Sequence, residues 1–231
     1  MFRFIAIALP RAVVLENVAG LTQGKHKRTF EMMMTLLESM EEYDWHTRCL
    51  NTKDYGVPQN RLRLYIVGIR RRQSHASKPF VWPRATPADS LQLDDFLEAP
   101  GPQPDLVSAL PRAGTKKRQN ILGALEKLLA QNMNPLTTPA VCADNWQCTT
   151  MLNCSPCLHR SGAATQGHWL LHRGRFMTTR EVFWLQGLKP ERWMRPDCVS
   201  ETHFRACVGN AMSGNVIKAV LLSVLNALGE L

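Results

Sequence analysis

The chain has 231 residues, long enough to bury a substantial core without the help of disulfides. Hydrophobic residues make up 45% and charged residues 20%, the balance of an ordinary globular protein, and no internal repeat or low-complexity tract interrupts it. Lys plus Arg number 28 against 19 Asp plus Glu, a formal charge of +9 that favours a polyanionic partner such as nucleic acid. No apolar run approaches the roughly 20 residues of a bilayer span, which excludes a transmembrane helix and makes the expected protein one without a membrane partner.

The opening Met1 to Leu9 is predicted as a helix cut at its start, because it lacks the basic lead and small-residue cleavage site of a signal peptide. Arg11 to Leu15 is a continuous, β-branched apolar run, predicted as a strand buried on both faces of a sheet. Phe30, Met33, Met34, Leu37 and Met40 recur at helical spacing and predict an amphipathic helix from His26 to Tyr43, with the methionines as core. Trp45 to Leu50 reads as a second strand and Leu62 to Ile69 as a third.

Strand, helix, strand is the parallel crossover unit of an α/β fold. The link between the second and third strands, residues 51 to 60, is too short for a helix, so the third strand is expected to return antiparallel. The carboxyl ends of the first two strands and the amino end of the third then share one sheet edge, where ligands of α/β proteins bind. Glu16, Asn17, Gln59, Arg61 and Arg63 all map to that edge.

From Arg70 to Phe176 the pattern changes. Ten of the 14 prolines lie there, and only Ile121 to Leu129 shows clear helical spacing, so a loop-rich insertion is expected. Regularity returns with a threonine-capped helix at Thr178 to Leu185 and a final amphipathic helix from Gly214 to Leu228.

"LENVAGL" at 15 to 21, "DYGVPQNRLRLYIVGIR" at 54 to 70, "TTREVFWLQGL" at 178 to 188 and "VGNAMSGNVI" at 208 to 217 stand in this order. Together they resemble the sixth, eighth, ninth and tenth motifs of the DNA cytosine-5 methyltransferase family. The resemblance implies a partial Rossmann-like α/β methyltransferase sheet. Residues 1–70 would be the carboxyl-terminal part of the catalytic domain, 71–176 an inserted target recognition domain, and 177–231 a return to the catalytic domain.

It also implies a function: methyl transfer from S-adenosyl-L-methionine to C5 of a flipped-out cytosine in double-stranded DNA. A thiolate attacks C6, so the ring needs a carboxyl at N3 and the exocyclic amine and a cation at O2. By resemblance Glu16 fills the first role and Arg63 the second, with Asn17, Gln59 and Arg61 on the substrate side. Gln59 and Arg61 would order the loop, the nucleophile or nearby phosphates. Arg180 and Glu181 resemble the pair that braces the recognition domain against the catalytic sheet, and Asn210 and Ala211 the segment lining the cofactor pocket. A glycine at 209 is equally an ordinary turn before a helix.

The family's glycine-rich cofactor loop and Pro-Cys nucleophile precede the position of Glu16, and neither stands there in this sequence. Pro156-Cys157 is the only such pair and lies in the variable region, so no nucleophile is assigned. The expectation is a truncated or split enzyme, inactive alone and completed by an amino-terminal half, with an apolar sheet edge left open. A non-catalytic DNA-binding relative and a transfer-RNA methyltransferase are the alternatives.

Seven cysteines, an odd number, point to an intracellular reducing compartment: nucleus in a eukaryote, cytoplasm in a bacterium. Cys142, Cys148, Cys154 and Cys157, with His159, have only one zinc-like spacing among them, so free thiols and no metal are expected. Arg70 to Arg72 and Lys116 to Arg118 offer phosphate contacts, and Trp82, Trp146 and Trp169 offer stacking or core packing.

Overall fold

The structure is a computed structural model, and it describes residues 1–71, 78–86, 91–102, 105–143, 149–164 and 167–231. In chain order the first elements are α1 (Phe2–Ala8), β1 (Ala12–Val18), α2 (Lys27–Glu38), β2 (Tyr43–Asn51), β3 (Gln59–Asn60) and β4 (Leu62–Arg70). Then come α3 (Leu106–Ala109), α4 (Lys116–Ala130), β5 (Ala140–Cys142), β6 (Thr150–Leu152), β7 (Ser155–Pro156), α5 (Arg160–Ala164), β8 (Trp169–Leu170) and β9 (Arg175–Phe176). The last three are α6 (Thr179–Leu185), α7 (Glu201–Asn210) and α8 (Gly214–Leu228).

These elements form two compact units. The first comprises Met1–Asn51, Leu62–Ala85 and Val216–Leu231, and the second Thr52–Arg61 and Thr86–Asn215. These units and the segments drawn on the motifs divide the chain differently: Thr52–Arg61 and 177–215 pack in the second unit, and the first runs on to Ala85.

In the first unit β4 lies between β1 and β2 and runs antiparallel to both, so β1 and β2 are parallel to each other. Ile5, Val13, Leu37, Tyr43, Leu64 and Ile66 form the core on one side, and Met33, Met34 and Met40 pack against it as expected. Each such buried side chain contributes about 1.5–3 kcal/mol. Tyr65, Val67 and Ile69, which alternate with Leu64 and Ile66, are buried as well, so both faces of β4 are covered. From α8 the stripe Val216, Val220 and Val224 is buried.

Two boundaries depart from expectation. α2 ends at Glu38 instead of Tyr43, because Tyr43 pairs with Arg70 as the first residue of β2 and its hydroxyl donates to the Pro10 carbonyl at 2.8 Å. β1 continues to Val18, so Glu16 and Asn17 lie inside the strand and not beyond it. Gly68 is required by packing: a Cβ there would stand 2.4 Å from the Trp45 ring.

The second unit adds a small sheet to the expected loop-rich insertion. Its four-stranded antiparallel sheet has the order β6-β5-β8-β9. The strands have two or three residues each, too short for periodicity to reveal. Ile121, Ala124 and Leu128 of α4 pack with Ala140, Cys142, Trp169 and Leu171. A second cluster joins Val141, Leu158, Leu170, Val182, Phe183, Leu185 and Val208.

Gly209 is also corrected. It lies within α7, not in a turn, and a Cβ there would meet Ala163 Cβ and the His159 carbonyl oxygen, each at 2.7 Å. Glycine therefore permits α7 to press against α5.

Candidate active site

β1 and β4 bring Glu16 and Arg63 together. Val18 pairs with Arg63 across the two strands, which puts Glu16, two residues earlier, on the same face. Glu16 Oε1 lies 3.2 Å from Arg63 Nε, with the side chains 17% and 12% exposed. The carboxyl ends of β1 and β2 meet the amino end of β4 here, through the pairs Val18–Arg63 and Asn51–Leu62.

A carboxylate beside a guanidinium is complementary to a planar ligand edge that carries hydrogen-bond donors next to an acceptor. Asn17 does not join this face. It is exposed, points to the opposite side by strand alternation, and its Oδ1 accepts from the Val18 N–H at 2.8 Å.

Gln59 and Arg61 belong to the second unit and are 0% and 2% exposed. Gln59 Nε2 donates to the Leu185 carbonyl at 2.7 Å and to Gln186 Oε1 at 3.2 Å. Arg61 donates from Nη1 to Leu158 O and from Nη2 to Ala211 O, each at 2.7 Å. Of the roles carried over by resemblance, ordering the loop is the one this burial supports; neither residue presents surface to a substrate.

Four polar side chains not singled out beforehand complete this knot. Gln186 Nε2 donates to Val208 O and Ala211 O, Thr52 Oγ1 lies 2.6 Å from Ser213 Oγ, and Asn215 Nδ2 donates to Thr52 O and Tyr55 O. Gln186, Ser213 and Asn215 all stand inside the quoted motif stretches, which was their only signal.

Arg180 and Glu181 have different environments. The Glu181 side chain is 0% exposed, pairs with Arg175 at 2.6 Å and closes a capping box with Thr178 at the start of α6. Hydrogen bonding to Glu181 chiefly raises the Arg175 pKa above its usual value. Arg180 is 56% exposed and meets Glu191 at 3.0 Å. All these partners lie in the second unit.

Asn210 is exposed at the end of α7, whereas the Ala211 carbonyl is already engaged by Arg61 and Gln186. For a bulky nucleoside-sulfonium cofactor, these two residues supply one free-standing side-chain amide. The fit is incomplete in this chain.

The remaining candidates resolve mostly into structure. Trp169 is core, edge-on to Phe176 at 4.8 Å, and Trp82 is edge-on to Phe80 at 5.0 Å. Arg70 donates to Leu9 O, Arg71 pairs with Asp44, and Arg118 donates to Pro111 O. Lys117 lies over the Phe176 ring at 5.1 Å. Arg72, Trp146 and Cys148 lie outside the described residues, among which no group of three His, Cys, Asp or Glu is arranged to hold a metal.

An antiparallel strand inserted between two parallel ones, with helices packed on the sheet, defines an α/β methyltransferase fold. The crystal structure of S. pombe Dnmt2 methyltransferase is similar, with a TM-score of 0.55 at 17% identity over 95% of this chain and 68% of that one. The chain belongs to the C-5 cytosine-specific DNA methylase family, whose model matches residues 1–226.

It is 28% identical over 232 residues to the type II methyltransferase M1.ScrFI of Lactococcus lactis subsp. cremoris, covering 98% of this chain and 54% of that protein. It is 27% identical over 227 residues to the type II methyltransferase M.SsoII of Shigella sonnei, covering 98% and 56%. The chain thus spans about half the length of the curated relatives it matches.

Proposed function

We propose that this chain carries the cytosine-activating and target-reading part of a DNA cytosine-5 methyltransferase acting in an intracellular, reducing compartment. The reading rests on family membership and on one observation above all, the Glu16–Arg63 pair at the strand-end edge. A cytosine flipped out of duplex DNA offers the matching edge: N3 and the exocyclic amine for Glu16, and O2 for Arg63. Glu16 holds a proton at N3 while Arg63 stabilises the charge that grows on O2 during attack at C6.

S-adenosyl-L-methionine supplies the methyl group in this reading. The exposed Asn210 amide would offer one contact to it. Gln59, Arg61 and Glu181 act as positioning residues, and Asn17, which points away from the Glu16–Arg63 face, is given no role in holding the cytosine. Residues 71–176 serve as the recognition domain. The nucleophile and the cofactor loop come from a complementary segment equivalent to the rest of the relatives' length, and the isolated polypeptide is inactive.

The test is incorporation of labelled methyl into duplex DNA by the chain alone and by the chain with a segment carrying a glycine-rich loop and a Pro-Cys. Activity only in the mixture supports the reading, and turnover by the chain alone overturns its inactivity. Salt-sensitive DNA binding without methylation in either case makes the chain a non-catalytic DNA binder. Preferential methylation of transfer RNA changes the substrate.

A further inference from the structure

Cys157 directly follows β7, is partly exposed, and has no part in the site above. Arg61 Nη1 lies 3.6 Å from its sulfur, and that guanidinium is held in place by the Leu158 carbonyl. His159, an exposed residue two positions on, places Nδ1 3.9 Å from the same sulfur. His168 reaches the Cys157 carbonyl at 3.3 Å and not the thiol.

A cation within about 4–6 Å favours the charged form of a thiol, and a buried guanidinium is poorly screened by water. The imidazole at the exposed side gives the proton a route to solvent. The neighbouring thiol of Cys154 is the opposite case: burial pushes it up, against a smaller opposing effect of Lys53.

We propose that Cys157 is a covalent-modification site, a thiolate-forming cysteine that reacts selectively with soft electrophiles and peroxides. With a peroxide, a sulfur lone pair attacks one oxygen, an S–O bond forms, the O–O bond breaks and hydroxide leaves. Sulfur is oxidised to the sulfenic acid as the peroxide is reduced. Arg61 also holds the carbonyls of Gly209 and Ala211, so an adduct at sulfur competes for the guanidinium that steadies the segment beside Asn210.

The full chain is alkylated with iodoacetamide across a pH series and each cysteine adduct is quantified by mass spectrometry. Cys157 is expected to reach half-reaction at a lower pH than the exposed Cys198 and Cys207, and to react about tenfold faster than Cys198 at neutral pH. Arg61→Lys or His159→Gln is expected to move the Cys157 profile upward in pH. Where Arg61→Lys does not fold, the unmodified chain and His159→Gln decide. A Cys157 midpoint at or above those of Cys198 and Cys207, or a profile unmoved by His159→Gln and by any folded Arg61→Lys, overturns the proposal.

Discussion

Glu16 and Arg63, on adjacent antiparallel strands, hold an acid and a base 3.2 Å apart on one face of the sheet edge. The ion pair orients both side chains, so a ligand that takes up the carboxylate also meets the guanidinium. Glu16→Gln keeps the shape and removes the charge. In the completed enzyme methyl transfer is expected to fall about 10²–10⁴-fold, as measured by labelled methyl incorporation, while DNA affinity changes little. The stability cost is about 1–3 kcal/mol, because the pair is largely buried while glutamine keeps an acceptor oxygen beside Arg63. Unchanged turnover would remove Glu16 from the chemistry.

Neighbours in sequence, Glu181 and Arg180 should differ sharply on substitution. Glu181→Ala removes a buried partner of Arg175 and one half of the capping box, a loss of about 3 kcal/mol. Arg180→Ala removes exposed ion pairs and a cation–π contact 5.5 Å from the Trp184 ring, and should stay within about 1 kcal/mol. Denaturant unfolding of the two variants distinguishes them, and equal effects would contradict the burial difference.

Gly68→Ala forces a methyl group against the Trp45 ring and is expected to cost about 1–3 kcal/mol. Trp45→Val in the same chain should recover part of that loss, since the obstacle is a side chain. Gly209→Ala has no comparable rescue, because its obstacle includes the backbone oxygen of His159. Thermal melts of the single and double variants would settle both points.

Burial alone would raise the Asp94 pKa, but hydrogen bonds from His172 at 2.8 Å and Arg173 at 3.0 Å, with their charges, hold it below the ordinary carboxylate value. A folded-state pKa depressed in this way stabilises the protein above the unfolded pKa, and the contribution disappears as pH falls through the folded one. Asp94→Asn should therefore lower Tm at neutral pH, with the difference from the unsubstituted protein closing well below about pH 4. A Tm difference independent of pH would show that the carboxylate charge is not what matters.

The first unit was legible in the residues alone. Long apolar runs such as Leu62 to Ile69 carry their own strand signal, and a link of ten residues leaves no room for a crossover helix, which dictates the antiparallel return of β4. The capped helix at Thr178 and the helix from Gly214 were equally plain, because caps and spacing are local. Glu16 and Arg63 could be named from motif order, yet their 3.2 Å contact arises from register between strands more than 40 residues apart.

The second unit was legible only in its helices α4 and α6, foreshadowed by the spacing at Ile121 to Leu129 and the cap at Thr178. Strands of two or three residues have no period, and α7 hides behind a Gly-Asn pair that reads as a turn until its packing against Ala163 and His159 is known. Likewise, nothing in "QNRLR" tells that Arg61 is buried among carbonyls while Arg63 faces Glu16. Sequence determines what a residue can donate or accept and which local element it prefers. Which partners it meets, and whether water is excluded there, depends on long-range packing, and only the tertiary structure decides it.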